Sequence, residues 1–181
     1  MEQLSANFDI EVQWRAFPLH PETPEEGLTL EELFAGRNMD IPAAMARMKK
    51  IASELNLPWG ERKMTYNSRL AQELGKWAES KGKGDLYHDT VFRAYFADGK
   101  NIAKTDVLMG LVRAVGLPEK EAVEALQKRA FKASVDADWA LVDDMGVTSV
   151  PTFAIEGQKL VGAEPYAALE QFLLRNGVKK R

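Results

Sequence analysis

Hydrophobic positions repeat with two different periods along this chain, and the changes of period divide it into elements. Between Ile10 and Phe17 they alternate: Ile10, Val12, Trp14 and Ala16 share one face, while Glu11, Gln13 and Arg15 take the other. Period two in β-branched and aromatic residues predicts a strand with one wetter face. Pro18, Pro21, Pro24 and Gly27 follow within a short stretch and predict a loop. From Ile41 the spacing becomes helical. Ile41, Met45, Met48, Ala52 and Leu55 form one stripe, with Asp40 as the cap and Pro42 in the first turn. Pro58 closes this element.

Further helices follow closely. Leu70, Leu74 and Trp77 mark one within 67–80, ended by Gly82–Lys83–Gly84, and Tyr87, Val91, Ala94 and Tyr95 mark another over 86–96. Thr105 is the predicted cap of a helix carrying Leu108, Leu111, Val112 and Val115, with Gly116 just beyond it. The next starts at Pro118, with acidic residues early and Lys128 and Arg129 late, as a helix dipole favours. One more covers roughly 136–145. Short strands then return at 152–155 and 159–161, joined through Glu156, Gly157 and Gln158. Pro165 opens a last helix with Leu169, Phe172 and Leu173 inward and Gly177 past its end.

This order predicts an α/β core interrupted by a large all-helical insertion, because neither flanking piece can bury a core alone. Residues 1–37 and 133–181 read as the core portions and 38–132 as the inserted helical region.

Composition narrows the function. The 24 basic and 27 acidic residues of this 181-residue chain give a net charge of -3, which argues against a broad nucleic-acid surface. No apolar run is long enough for a bilayer span, and no basic leader with an apolar segment is visible near Met1, so the expectation is a cytoplasmic protein without membrane contact. There is no cysteine, which removes disulfides, thiolate metal sites and a cysteine nucleophile. His20 and His88 lie in unrelated segments and form no metal constellation. Asp143–Asp144 reads as a solvated pair, and Gly82–Lys83–Gly84 lacks the rest of a phosphate-binding loop. Thr148, Ser149 and Thr152 have no identifiable base to activate a hydroxyl, so no catalytic residue is assigned.

The ordered series FDIEVQWRAFPLHPETPEEG, MTYNSRLAQELGKWAESKG, LYHDTVFRAYFADGKNIAKTDVLMGLVRAVGL and GVTSVPTFAIEGQKLVGAEPYAALEQFL resembles the DsbA-like thioredoxin superfamily. It looks closest to the branch related to FrnE and the 2-hydroxychromene-2-carboxylate isomerases. The resemblance covers nearly the whole chain. It implies an incomplete thioredoxin-like fold with a helical insertion, because family members begin with a further strand and a helix whose first turn carries the reactive dithiol. In isomerase-like relatives a serine can stand in that region; here no position corresponds to either residue. The missing strand lies inside the family sheet, so its loss leaves backbone groups that need other partners. A truncated or wrongly started form, a rearranged homodimer, and another chain completing the sheet all stay open.

The resemblance further implies a thiol–disulfide oxidoreductase ancestry without redox activity in this cysteine-free form. The alternatives are a glutathione-dependent isomerase-like protein and a noncatalytic peptide-binding or assembly protein. No cofactor is implied; glutathione or another small thiol, or a peptide, is the ligand class. Val150 and Pro151 match the family's cis-proline loop and are expected to give main-chain and apolar contacts to an extended ligand. Asn67 sits where the insertion approaches the groove and reads equally as a helix cap. Trp59, Phe92, Tyr95 and Phe96 read either as a pocket lining or as helix packing, and Met39, Met45, Met48 and Met64 as core filling.

Overall fold

Each amphipathic segment forms its helix, and the strands stay few and short. The computed structural model describes residues 1–181. In chain order the elements are α1 (Glu2–Asn7), β1 (Leu28–Thr29), α2 (Leu30–Leu33), α3 (Ile41–Glu54), β2 (Met64–Thr65), α4 (Arg69–Ser80), α5 (Gly84–Phe96), α6 (Thr105–Ala114), α7 (Glu119–Gln127), α8 (Lys132–Asp144), β3 (Thr152–Ile155), β4 (Gln158–Val161) and α9 (Tyr166–Arg175). Half of the chain is helical, and its two small sheets each hold two strands. This is a mixed α/β fold, an incomplete thioredoxin-like arrangement with a helical insertion.

The chain divides into two compact units, residues 1–19 with 136–181, and residues 20–135; α8 contains the junction. In the helical unit α4 packs against α5 and α7, and α6 against both of these. Leu74, Ala78, Tyr87, Leu108, Val112 and Ala122 are completely buried there. Fully burying a Leu or Val contributes about 1.5–3 kcal/mol, so this cluster holds the unit together. In the other unit Leu4, Phe8 and Leu173 form a small core, against which Ile10, Ile155, Tyr166 and Leu169 pack.

The alternation at 10–17 does not become a strand. A strand is completed by the main chain beside it, and near this end the chain makes only an isolated bridge between Phe8 and Lys180. The amide of Asp9 donates to Lys179 O at 3.0 Å, and that of Arg181 to Asn7 O at 3.0 Å. Beyond them the segment is irregular, with Val12 and Trp14 exposed. It is held instead by the buried Asp138 of α8, whose carboxylate accepts from Arg15 Nη1 at 3.1 Å and from the Ala16 amide at 2.9 Å.

Smaller departures have local causes. Thr105 is the first residue of α6, with Lys104 at its cap and no side-chain capping bond. Gln158 belongs to β4, because Glu156 (φ 46°) and Gly157 (φ 83°) suffice for the turn. Positive φ at both central residues is the geometry whose twist matches a tight hairpin. Helix α8 begins four residues earlier than expected, at Lys132.

Helix α3 starts where predicted, with Asp40 accepting from the Ala43 amide at 2.9 Å, and ends at Glu54 with Leu55 as its C-cap rather than inside it. Its stripe is not core, however: only Ala52 is buried, and Met48, Ile51 and Leu55 are 41%, 42% and 63% exposed. Met39 and Met48 therefore fill no core gap, since no neighbouring element covers them; Met45 and Met64 are half-buried.

Candidate functional site: the Val150–Pro151 edge

The turn after α8 is fixed at its start. Asp143 and Asp144 end that helix, where acidic side chains oppose the dipole. Lys159 reaches back from β4 to donate to Met145 O at 2.5 Å, with Gly146 O at 3.4 Å, placing a cation at the helix C-terminus. The Val147 amide closes the end through Val142 O at 2.9 Å. Thr152 Oγ1 then donates to Ser149 O at 2.7 Å, so the Ser149–Thr152 step is a held bend. Within it the Val150–Pro151 peptide is cis, and Val150 is 46% exposed.

The hairpin register decides which main-chain groups face outward. Thr152 pairs with Val161, Phe153 with Leu160, Ala154 with Lys159 and Ile155 with Gln158. Residues closing a two-residue turn exchange hydrogen bonds, and such pairs recur at every second position. Ile155 and Phe153 therefore bond toward β4, and Pro151 continues the series by accepting from the Gly162 amide at 2.9 Å. The alternate residues Thr152 and Ala154 turn their N–H and C=O groups away from β4. The sheet has two strands, so that edge carries no protein ladder. Both Val150 and Ala154 are exposed.

Asn67 and Trp59 lie in the helical unit. The Asn67 amide is fully used: Nδ2 donates to Pro21 O at 3.0 Å and Thr23 O at 2.8 Å, and Oδ1 accepts from the Arg69 amide at 2.9 Å. It ties the proline-rich loop to the start of α4. Trp59 stacks on Phe96 at 5.6 Å between ring centroids, with Arg62 over Tyr95 at 5.0 Å. Gly60 permits this approach: a Cβ there would lie 2.1 Å from Ala97 O. These aromatics pack on one another, leaving Phe92 exposed at the far end of the row.

His20 meets the edge of Phe34, and partial burial with the charges of Arg37 and Arg62 lowers its pKa. His88 Nε2 lies 3.2 Å from Glu79 Oε1. Sequence reasoning missed the strongest charge centre, at Glu73, whose side chain is only 2% exposed. Arg129 Nε donates to its Oε2 at 2.8 Å and Nη2 to Oε1 at 2.6 Å, while Arg69 Nε donates to Oε1 at 2.7 Å. Burial acts to raise the Glu73 pKa; the two guanidiniums more than reverse it, leaving the carboxyl below its ordinary value. The i,i+4 spacing of Arg69 and Glu73 was the one signal in the sequence.

A held bend entering an open-edged hairpin, in a chain that also carries a helical unit, marks a protein of the thioredoxin-like class. The chain belongs to the DSBA-like thioredoxin domain family, whose model matches residues 1–174. It is similar to the protein YwbO of Bacillus subtilis (strain 168), 28% identical over 173 residues that cover 95% of this chain and 85% of that protein. It is also similar to the crystal structure of a probable DsbA oxidoreductase, SCO1869, from Streptomyces coelicolor. The TM-score is 0.84 at 25% identity, covering 93% of this chain and 76% of the other. A crystal structure from Nitrosomonas europaea matches in fold alone, at a TM-score of 0.63 and 15% identity over 82% of this chain and 75% of that one. The present chain has no cysteine and cannot itself carry out thiol–disulfide exchange, which runs through a thiolate.

Proposed function

We propose that this chain is a redox-inactive DsbA-like binding module that takes an extended peptide as an added strand along β3. The observation that carries this reading is the outward row of main-chain groups at Thr152 and Ala154. Strand addition draws affinity from such an edge and specificity from alternate side-chain contacts. Val150 and Pro151 supply the apolar contact at its entrance. The ligand is a peptide or a strand of another chain, a second copy included, that completes the sheet. In this reading residues 1–37 and 133–181 are the thioredoxin-like portions and 38–132 the insertion.

The test is amide protection by NMR while an extended peptide of alternating apolar residues is titrated in. The Thr152 and Ala154 amides become protected, and Ala154→Pro, which removes an outward donor while sparing the bonds to β4, abolishes binding. Binding that leaves both amides unprotected would overturn the proposal. An insulin-reduction assay on the same protein gives no turnover above background.

A second reading rests on the helical segments, which resemble the FrnE and 2-hydroxychromene-2-carboxylate isomerase-related branch. It makes glutathione or another small thiol the ligand. Shifts of the Val150 amide on glutathione titration favour it; an unmoved spectrum at millimolar glutathione rejects it.

A further inference from the structure

Helix α3 ends in a defined way yet leaves its apolar side open. The Leu57 amide donates to Ala52 O at 2.8 Å and the Asn56 amide to Ser53 O at 3.1 Å, with Asn56 at φ 54°. This double bond pattern is a Schellman stop, which commonly brings the following apolar residue onto the helix. Here Leu57 stays 57% exposed. Met48, Ile51 and Leu55 are exposed at intervals of three and four, and the half-buried Ala44 continues the series four residues earlier. That is the spacing of a seam between two helices, where side chains of one insert between side chains of the other.

The flank of the seam indicates what covers it. Arg47 and Glu54 stand on the same side of this stripe, seven residues or about 10 Å apart, and both are exposed. A second α3 laid antiparallel, about a twofold axis passing near Ile51, brings each copy's Arg47 against the other's Glu54. Two opposite charges placed symmetrically about such an axis are self-complementary. A parallel pairing in the same register sets Arg47 against Arg47 and loses this match. Glu54 also lies 3.9 Å from Lys50 of its own helix, both widely exposed, a contact loose enough to yield.

We infer that α3 is a self-association surface: it pairs antiparallel with α3 of a second copy through the Met48–Ile51–Leu55 seam and reciprocal Arg47–Glu54 ion pairs. This surface is distinct from the β3 edge and stands without the strand-binding reading. A single 14-residue helix offers an area at the small end of specific interfaces, so the dimer is a weak one in exchange with the monomer.

Sedimentation equilibrium of the full chain tests this, with R47E, E54R and the double variant R47E/E54R. All substituted positions are exposed, and unchanged melting curves confirm that each variant folds. Each single reversal weakens self-association about tenfold by replacing two attractions with two repulsions. The double variant returns to within about threefold of the parent, and an equimolar mixture of the two single variants associates more tightly than either alone. Ile51→Asp abolishes association. A parent chain that remains monomeric at about 500 µM overturns the inference. So does a dimer indifferent to these charge exchanges, which would have formed through another surface.

Discussion

Replacing Arg129 by Met leaves the Glu73 carboxylate in place with one of its two guanidiniums gone. The substitution removes two charge-assisted hydrogen bonds, at 2.8 and 2.6 Å, and keeps that from Arg69 at 2.7 Å. Bonds to a charged group contribute about 1.5–3 kcal/mol each, and breaking a fully buried pair costs about 3–5 kcal/mol. Arg129 is 44% exposed, so water enters where its guanidinium was and replaces part of the loss. The expected destabilisation is about 2–3 kcal/mol at neutral pH, a fall in Tm of roughly 4–12 °C for a chain of this size. Calorimetry measures it, and acid supplies the control. The folded Glu73 pKa is depressed, so its stabilising contribution is present above the ordinary carboxylate value and is lost as pH falls through the folded value. The gap between parent and Arg129→Met must therefore narrow on acidification. A loss below about 0.5 kcal/mol, or a gap of the same size once Glu73 is protonated, refutes the assignment of Arg129 as its main partner.

Three further outcomes follow from the geometry. Lys159→Met removes the cation at the end of α8 and lowers stability by about 0.5–1.5 kcal/mol, with faster amide exchange in the last turn of that helix as the readout. Asn67→Ala releases the carbonyls of Pro21 and Thr23; limited proteolysis within 18–27 accelerates while cleavage elsewhere is unchanged. His20, whose folded pKa lies below 6.5, favours the neutral form, so its contribution is present above the unfolded value and is lost as pH falls below it. NMR titration of its ring should give a midpoint under 6.5, and a midpoint above it contradicts the described surroundings.

Much of the helical architecture was legible because a helix satisfies its main chain locally and announces its buried face by spacing. Asp40 and the stripe behind it located α3 in this way. The same stripe misled about burial: periodicity identifies an apolar side without saying what lies against it, and Met48 was read as core on that ground. The segment 10–17 failed for the converse reason, since alternation describes a residue pattern while a ladder needs a second stretch of chain. The hairpin at 152–161 was readable because its partner is two residues away. Arg129 with Glu73, Lys159 with the end of α8, and Asp138 with Arg15 join residues far apart in sequence, and nothing local signals such pairs. Val150 and Pro151 stood out through family resemblance; the outward-facing main chain of Thr152 and Ala154 follows only from the register.

The hairpin that leaves one margin bare on β3 leaves another on β4, where Lys159 and Val161 turn outward. Two unlike margins on one small ribbon permit head-to-tail stacking, in which each copy receives a strand and presents another, and such a chain of contacts need not close into a ring. The ribbon resists this by its shortness: Pro151 has no amide proton to extend the ladder at one end, and the tight turn halts it at the other. Lengthening this hairpin would therefore extend both margins and favour open, fibre-like stacking of copies.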